Sequence, residues 1–479
     1  MAMTGRGNTP RRPVQPILEL IVSETIRYAS RQVPTAGDRY LGLLAIVLLG
    51  YALMGKGFAY IGIPPLYVGE VACLLGILTF VRSGACVASL ATLPSVLLAT
   101  LMIWVILRTI PYVDVYGFDA LRDSVIILYG IFAFIVIALL LEDERRIDTA
   151  LRYYSFFVTM LPVMLVGYVV TRFGQDNIPR FGPNIPLLDV QGSAVGMHLT
   201  GAAVFVLIGY RRASPLVFVA WLVLFVLAGS VNRGAMLSVI APVVLATLML
   251  GRWRALLVAA VSAVALFGVA YVVEASYSHF HEAEESDKRP VSAHQIVDNI
   301  RSIFGEGGEQ SEGTKQWRID WWHVIREKAF EGSNFWTGRG FGLDLATADG
   351  FETPPDPSNP HPIPLSRSPH SAHMNILARA GVPGFVLWLA LLASWGVMML
   401  RAMFSARSRG QEQWTGLFLF ISCYAAAVII NASVDVVLEG PMQGIWFWCL
   451  FGFGIGSVMV YRSQVASEQI ASEEGDPGG

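Results

Sequence analysis

Charge is scarce in this chain. Only 15% of its 479 residues are Asp, Glu, Lys or Arg, against about a quarter in soluble domains. The formal net charge of −2 carries little information, because the charges are sorted along the chain rather than spread over one surface; no nucleic-acid partner is expected. Cysteine is rare too. Cys73, Cys423 and Cys449 lie inside apolar runs, Cys86 sits at the edge of one, and no CxxC pair occurs, which argues against disulfides and against a thiolate metal site. There is no Walker-type glycine loop. The arginine-bearing N-terminus leads to no small-residue cleavage site, so the first apolar run reads as an uncleaved insertion signal.

What fills the chain instead is apolar: 54% hydrophobic residues and a mean hydropathy of +0.54. Runs long enough for a membrane helix recur, which predicts an all-α polytopic membrane protein. Twelve spans are expected, centred on 41–55, 66–81, 88–107, 124–141, 154–171, 193–210, 214–229, 235–250, 255–273, 382–403, 415–436 and 442–461. Arginines then fall mainly on one side: Arg6, Arg11, Arg12, Arg27, Arg31 and Arg39, followed by Arg82, Arg145, Arg146, Arg152, Arg211, Arg212, Arg252, Arg254, Arg401, Arg407, Arg409 and Arg462. The short loops opposite hold only Lys56, Arg108, Arg122, Arg172, Arg180 and Arg233. By the positive-inside rule both termini are cytoplasmic. The chain divides into an N-terminal segment 1–40, helices 1–9 in 41–273, a large external loop 274–381, helices 10–12 in 382–461, and a tail 462–479 expected to be disordered.

That loop holds nearly all the long polar sequence. Ile296, Ile300, Ile303 and Phe304 follow helical spacing, as do Trp317, Trp321, Val324 and Ile325. Both predict short amphipathic helices on the membrane surface or against the bundle. Gly305–Gly313 reads as a hinge, and the seven prolines of 353–369 exclude regular helix or sheet.

Arg233 stands between two apolar runs with almost no loop. A guanidinium at a membrane edge either snorkels to the interface or meets an anionic headgroup, for which its planar fork suits phosphate oxygens. Arg318, beside Trp317 and Trp322, is either a second phosphate clamp or a solvated helix charge. His370 has an unperturbed pKa range suited to general-base work on a hydroxyl. His361 and His373 lie near it, but their spacing and the lack of a neighbouring carboxylate do not suggest zinc. Gly338, Gly340 and Gly342 read as a turn for close backbone approach rather than a phosphate loop. Asn431, Asp435 and Glu439 recur every four residues, so they are expected to share one helix face. They could form a salt bridge to Arg122 or Arg233, or serve acceptor binding and tuning of His370. Arg108, Arg122 and Asp123 are expected in a network of unknown partners.

These residues resemble a known family. SVNRG (230–234), the WR…GRGFG stretch (317–342), and His370-Ser371 followed by Gly381 and Gly384 together resemble the O-antigen ligase and O-antigen polymerase superfamily. Two positions depart from its more common pattern: Asn232 stands where Ser is usual, and Ser371 where Asn is usual. The resemblance implies a membrane-embedded glycosyltransferase of the bacterial inner membrane. Such enzymes take a glycan from a polyprenyl diphosphate, usually undecaprenyl diphosphate, at the periplasmic face. The acceptor is another lipid-linked glycan (polymerase), the lipid A core (ligase) or a protein side chain. Arg233, Arg318 and His370 would be catalytic. Ser230, Asn232, Trp317, Trp321, Trp322 and Ser371, in or beside those motifs, would line the substrate; Arg122, Asp435 and Glu439 lie outside the motifs and join them as candidates from the residue reading alone, with membrane lipids around the site. No cofactor or metal is expected, and no D-x-D signature occurs in the external loops. The rival readings are a secondary transporter, against which stands the lack of an internal repeat, and a non-catalytic subunit of a polysaccharide export complex.

Overall fold

The computed structural model describes residues 34–181, 185–254, 309–351 and 367–474, with isolated positions between 256 and 272. Helix dominates. Among the described residues, sheet is confined to two short antiparallel pairings, Gly62–Ile63 with Leu66–Tyr67 and Arg180–Phe181 with Ile185–Pro186. The main helices are α1 (Ala36–Met54), α2 (Val68–Arg82), α3 (Leu93–Tyr116), α4 (Phe118–Leu128), α5 (Ile131–Glu142), α6 (Arg145–Phe173), α7 (Gly192–Ile208), α8 (Pro215–Val231) and α9 (Arg233–Met249). They continue with α10 (Glu309–Phe330), α11 (Leu345–Asp349), α12 (Ala372–Ser408), α13 (Glu412–Ala432) and α14 (Pro441–Glu474).

Helices stand at eleven of the twelve expected positions. The ninth, 255–273, lies largely outside the described residues, as do the Ile296–Phe304 pattern and most of the proline-rich segment. Among the described residues, seven segments are long and apolar enough to cross a membrane: α1, α3, α4 with α5, α6, α12, α13 and α14. The apolar helices α7, α8 and α9 are shorter, at 17 residues each. In the bundle α14 runs along α5, α9 packs on α7 and α13, and α12 packs on α3 and α13.

Four local features differ from expectation. First, Asn431, Asp435 and Glu439 do not share a helix face, because α13 stops at Ala432 and residues 433–440 form a turn. Gly440-Pro441 ends that turn: the residue before proline disfavours helix, and proline suits the first position of α14. Second, α12 begins at Ala372, ahead of the expected span, and kinks at Gly381 (φ 71°). The part before the kink is a helical arm. Third, α14 continues to Glu474, since no glycine or proline interrupts it after Gly456 until Gly475. Fourth, α10 starts within the expected hinge, at Glu309.

The α10 helix rests on the bundle. Its stripe of Trp321, Ile325 and Ala329, at four-residue spacing, is buried against Leu345 and Ala346 of α11 and Leu377 and Ala378 of the α12 arm. Trp321 is 0% exposed and its Nε1 donates to Asp349 Oδ2 at 2.9 Å. Deleting such a ring costs roughly 3–5 kcal/mol, so this packing fixes where α10 presents its other faces.

Candidate active site

The site is built around a strained turn. His370 precedes α12 with φ 51°, the one non-glycine residue at positive φ among those described. Such a conformation costs about 1–3 kcal/mol and persists where its surroundings enforce it. Here Trp322 Nε1 donates to Pro369 O at 2.7 Å. Ser371 caps α12, its Oγ accepting from Met374 N at 3.4 Å. Trp317 sets its ring edge-on to the imidazole, centroids 6.0 Å apart. Thus two tryptophans expected near the substrate hold the histidine, and Trp321 holds the helix that carries them.

The 433–440 turn faces this histidine. Asp435 Oδ1 lies 3.8 Å from His370 Nδ1, too far for a hydrogen bond but close enough for strong attraction to an imidazolium. Asp435 Oδ2 accepts from Asn232 Nδ2 at 3.4 Å. Arg318 Nη1 donates to Val434 O at 2.8 Å. Burial pushes the Asp435 carboxyl upward, but His370, the Val436 N–H and the Arg318 charge outweigh it and hold the group below its usual value.

Asn232 has a second task. Lying between α8 and α9, it accepts Ala235 N through Oδ1 at 3.0 Å, the N-cap bond of α9. This places Arg233 at the first position of α9. The N-termini of α9 and α12 consequently both flank Asp435, and helix N-termini favour negative charge. Three segments far apart in sequence, 232–233, 317–318 and 370, meet at one turn. Ser230 is buried and bonds back into α8, its Oγ donating to Leu227 O at 2.9 Å.

The histidines separate clearly. Trp388 Nε1 donates to His373 Nδ1 at 2.9 Å, so the His373 proton resides on Nε2, which donates to Ser433 Oγ at 3.0 Å. Both ring nitrogens are thereby engaged in packing. His361 lies outside the described residues. Among the described residues no three His, Cys, Asp or Glu side chains are grouped as a metal site would need.

A second polar cluster adjoins the first. Arg122 is 46% exposed and pairs with Asp119 at 3.1 Å and Asp123 at 3.3 Å; the expected ion pair to Asp435 or Glu439 is not among its contacts, because those carboxylates turn toward His370 and the α12 arm instead. Arg367 pairs with Asp119 at 2.6 Å. Arg379, only 2% exposed, pairs with Asp123 at 3.1 Å. Glu439 accepts from Ser368 Oγ and from Asn375 Nδ2, the latter at 2.7 Å. Arg379 and Asn375 were not singled out in the sequence. An arginine inside an expected external loop gives no signal of burial.

The glycine run lets the loop meet the bundle. Gly338, Gly340 and Gly342 all have positive φ, and a Cβ on Gly340 would sit 2.1 Å from the Tyr112 ring. At Gly338 the obstacle is backbone, Arg379 O at 2.4 Å, and its neighbours bond across, Arg339 N to Ala378 O at 2.8 Å and Gly340 N to Arg379 O at 3.0 Å. Gly338→Ala is expected to destabilise the protein by about 1–3 kcal/mol through φ alone, with the clash added. A thermal unfolding curve of the purified protein checks this; an unchanged midpoint would contradict the packing described.

Residues 218–389 match the O-antigen ligase family model. The resemblance to the O-antigen ligase and polymerase superfamily therefore stands on a match that contains Asn232, Arg233, Arg318 and His370. Asp435 and Glu439 lie beyond the matched O-antigen ligase stretch, and only the fold attaches them to it. At family level the match supports a glycosyltransferase of the O-antigen ligase or polymerase type. A search of curated proteins finds no match to this chain.

Proposed function

We propose that the chain transfers a glycan from a polyprenyl diphosphate to an acceptor hydroxyl at the periplasmic face of the bacterial inner membrane. The observation that carries this reading is the meeting of His370, Arg318 and the Asn232–Arg233 helix start at the Val434–Asp435 turn. In transfer, the anomeric carbon–oxygen bond to the diphosphate breaks and a bond to the acceptor oxygen forms. The departing diphosphate keeps the electron pair. Arg233, Arg318 and the two helix N-termini offset its charge in advance of the reaction, so no metal is needed for that step. With His370 Nδ1 turned to Asp435, its Nε2 takes the acceptor proton, and the carboxylate steadies the imidazolium that results. A gap of 3.8 Å closing on substrate binding is ordinary for such pairs. Attack from the face opposite the leaving group inverts the anomeric centre.

The acceptor class is decided by one reconstitution. Purified full-length protein is incubated with a polyprenyl-diphosphate glycan alone, then with lipid A core added. Chain growth in the first reaction identifies a polymerase, and product only in the second a ligase. Absence of transfer to glycan, lipid A core and peptide acceptors alike, together with substrate uptake into proteoliposomes, would favour the transporter reading instead.

A further inference from the structure

The transfer proposed above uses Asp435 and leaves the second carboxylate of its turn without a task. Glu439 Oε1 accepts from two groups that bracket His370 in sequence: Ser368 Oγ before it, and Asn375 Nδ2 after it at 2.7 Å. Asn375 Oδ1 in turn accepts from Arg379 Nε at 2.6 Å. Arg379 is itself pinned by Asp123 at 3.1 Å and by Leu343 O, to which its Nη1 donates at 3.0 Å. The chain of contacts thus runs from α4 through the α12 arm to the 433–440 turn, and it closes on Ser368, two residues before the strained histidine.

We infer that Glu439 is a positioning residue: by gripping Ser368 and Asn375 it fixes the His370 turn against the Asp435 turn, with Asn375, Arg379 and Asp123 holding Glu439 in place. This rests on His370 acting as the base. The physical need is plain. A residue at φ 51° relaxes unless neighbours forbid it, and the His370–Asp435 geometry depends on two separate turns keeping register. Glu439 ties those turns together directly. Burial raises the Glu439 carboxyl above its usual value against the opposing pull of Ser368, Arg379 and Asn375, which agrees with a group valued for its accepting oxygen more than for its charge.

The test compares Glu439→Ala, Glu439→Gln and His370→Ala as full-length purified proteins, with kcat and donor KM measured for each. Glu439→Ala is expected to lower kcat by about 10–100-fold, the scale of a misplaced catalytic group, with donor KM changed less than about threefold. Glu439→Gln, which keeps an accepting oxygen, is expected to stay within about threefold of the parent. Three results overturn the inference: a parental rate for Glu439→Ala, a loss in Glu439→Gln equal to that in Glu439→Ala, or a rise in KM alone, which would make Glu439 a substrate contact. Should Glu439→Ala fail to fold, Ser368→Ala removes one of the two grips, and a kcat loss at constant KM is again expected, a parental rate again counting against it. An active His370→Ala would instead remove the base reading itself, whereas an inactive His370→Ala beside a fully active Glu439→Ala rejects only the positioning role.

Discussion

His370→Asn is expected to fold, insert and lose transfer by about 10²–10⁴-fold, the usual contribution of a general base. Asparagine is the informative replacement. At φ 51° an alanine adds backbone strain, while asparagine tolerates the left-handed region well. The ring itself carries little of the fold: it meets Trp317 edge-on at 6.0 Å, and among the described residues its Nδ1 has no hydrogen-bond partner. Stability and activity should therefore separate in this variant. The measurement is product formation per mole of monodisperse protein. A rate near that of the parent, at an unchanged unfolding midpoint, would mean that the acceptor proton leaves by another route. His373→Asn should behave oppositely. Its two nitrogens serve Trp388 and Ser433, so stability should suffer first.

The second large effect is expected at the arginines. Replacing Arg318 or Arg233 with alanine should each cost about 10²–10³ in kcat, as for loss of one preorganised charge on a leaving group. Arg318→Lys should recover only part of this, because an ammonium cannot reproduce the planar fork that meets two phosphate oxygens. The Arg318–Val434 bond, 2.8 Å in the parent, has a charged donor and is worth about 1.5–3 kcal/mol, so an unfolding midpoint measured beside kcat separates its loss from the catalytic effect. The double variant should lose less than the product of the two single losses, since both charges act on one diphosphate. If instead each variant only raises donor KM, the guanidinium groups bind the ground state and the electrostatic account of the transition state is wrong.

Much of this was readable along the chain. Helical class followed from composition and run length, whereas the caps Asn232 before α9 and Ser371 before α12 emerge with the structure, which starts α12 ahead of its expected span. The Gly338–Gly342 run was legible as a close-approach turn because positive φ is a property of the residue. The turn at 433–440 departs from the expected helix: Asn431, Asp435 and Glu439 fit a period of four, but the weak α preference before Pro441 ends the helix first. Arg379, Asn375 and the partner of Asp123 were invisible because burial of a polar residue depends on what another segment brings to it.

The sequence by itself determined that this chain is a helical membrane protein, where most of its apolar helices run, and which guanidinium and imidazole groups lie near its polar loop. Those are short-range matters of hydropathy, capping and backbone preference. Only the tertiary structure decided that His370 rather than His373 faces Asp435, that Trp321 is structural, and that Glu439 grips both sides of the histidine turn. These contacts join residues 28 to 203 positions apart. No local preference encodes them, because each arises from the packing of α10, the α12 arm and the α13–α14 turn against one another.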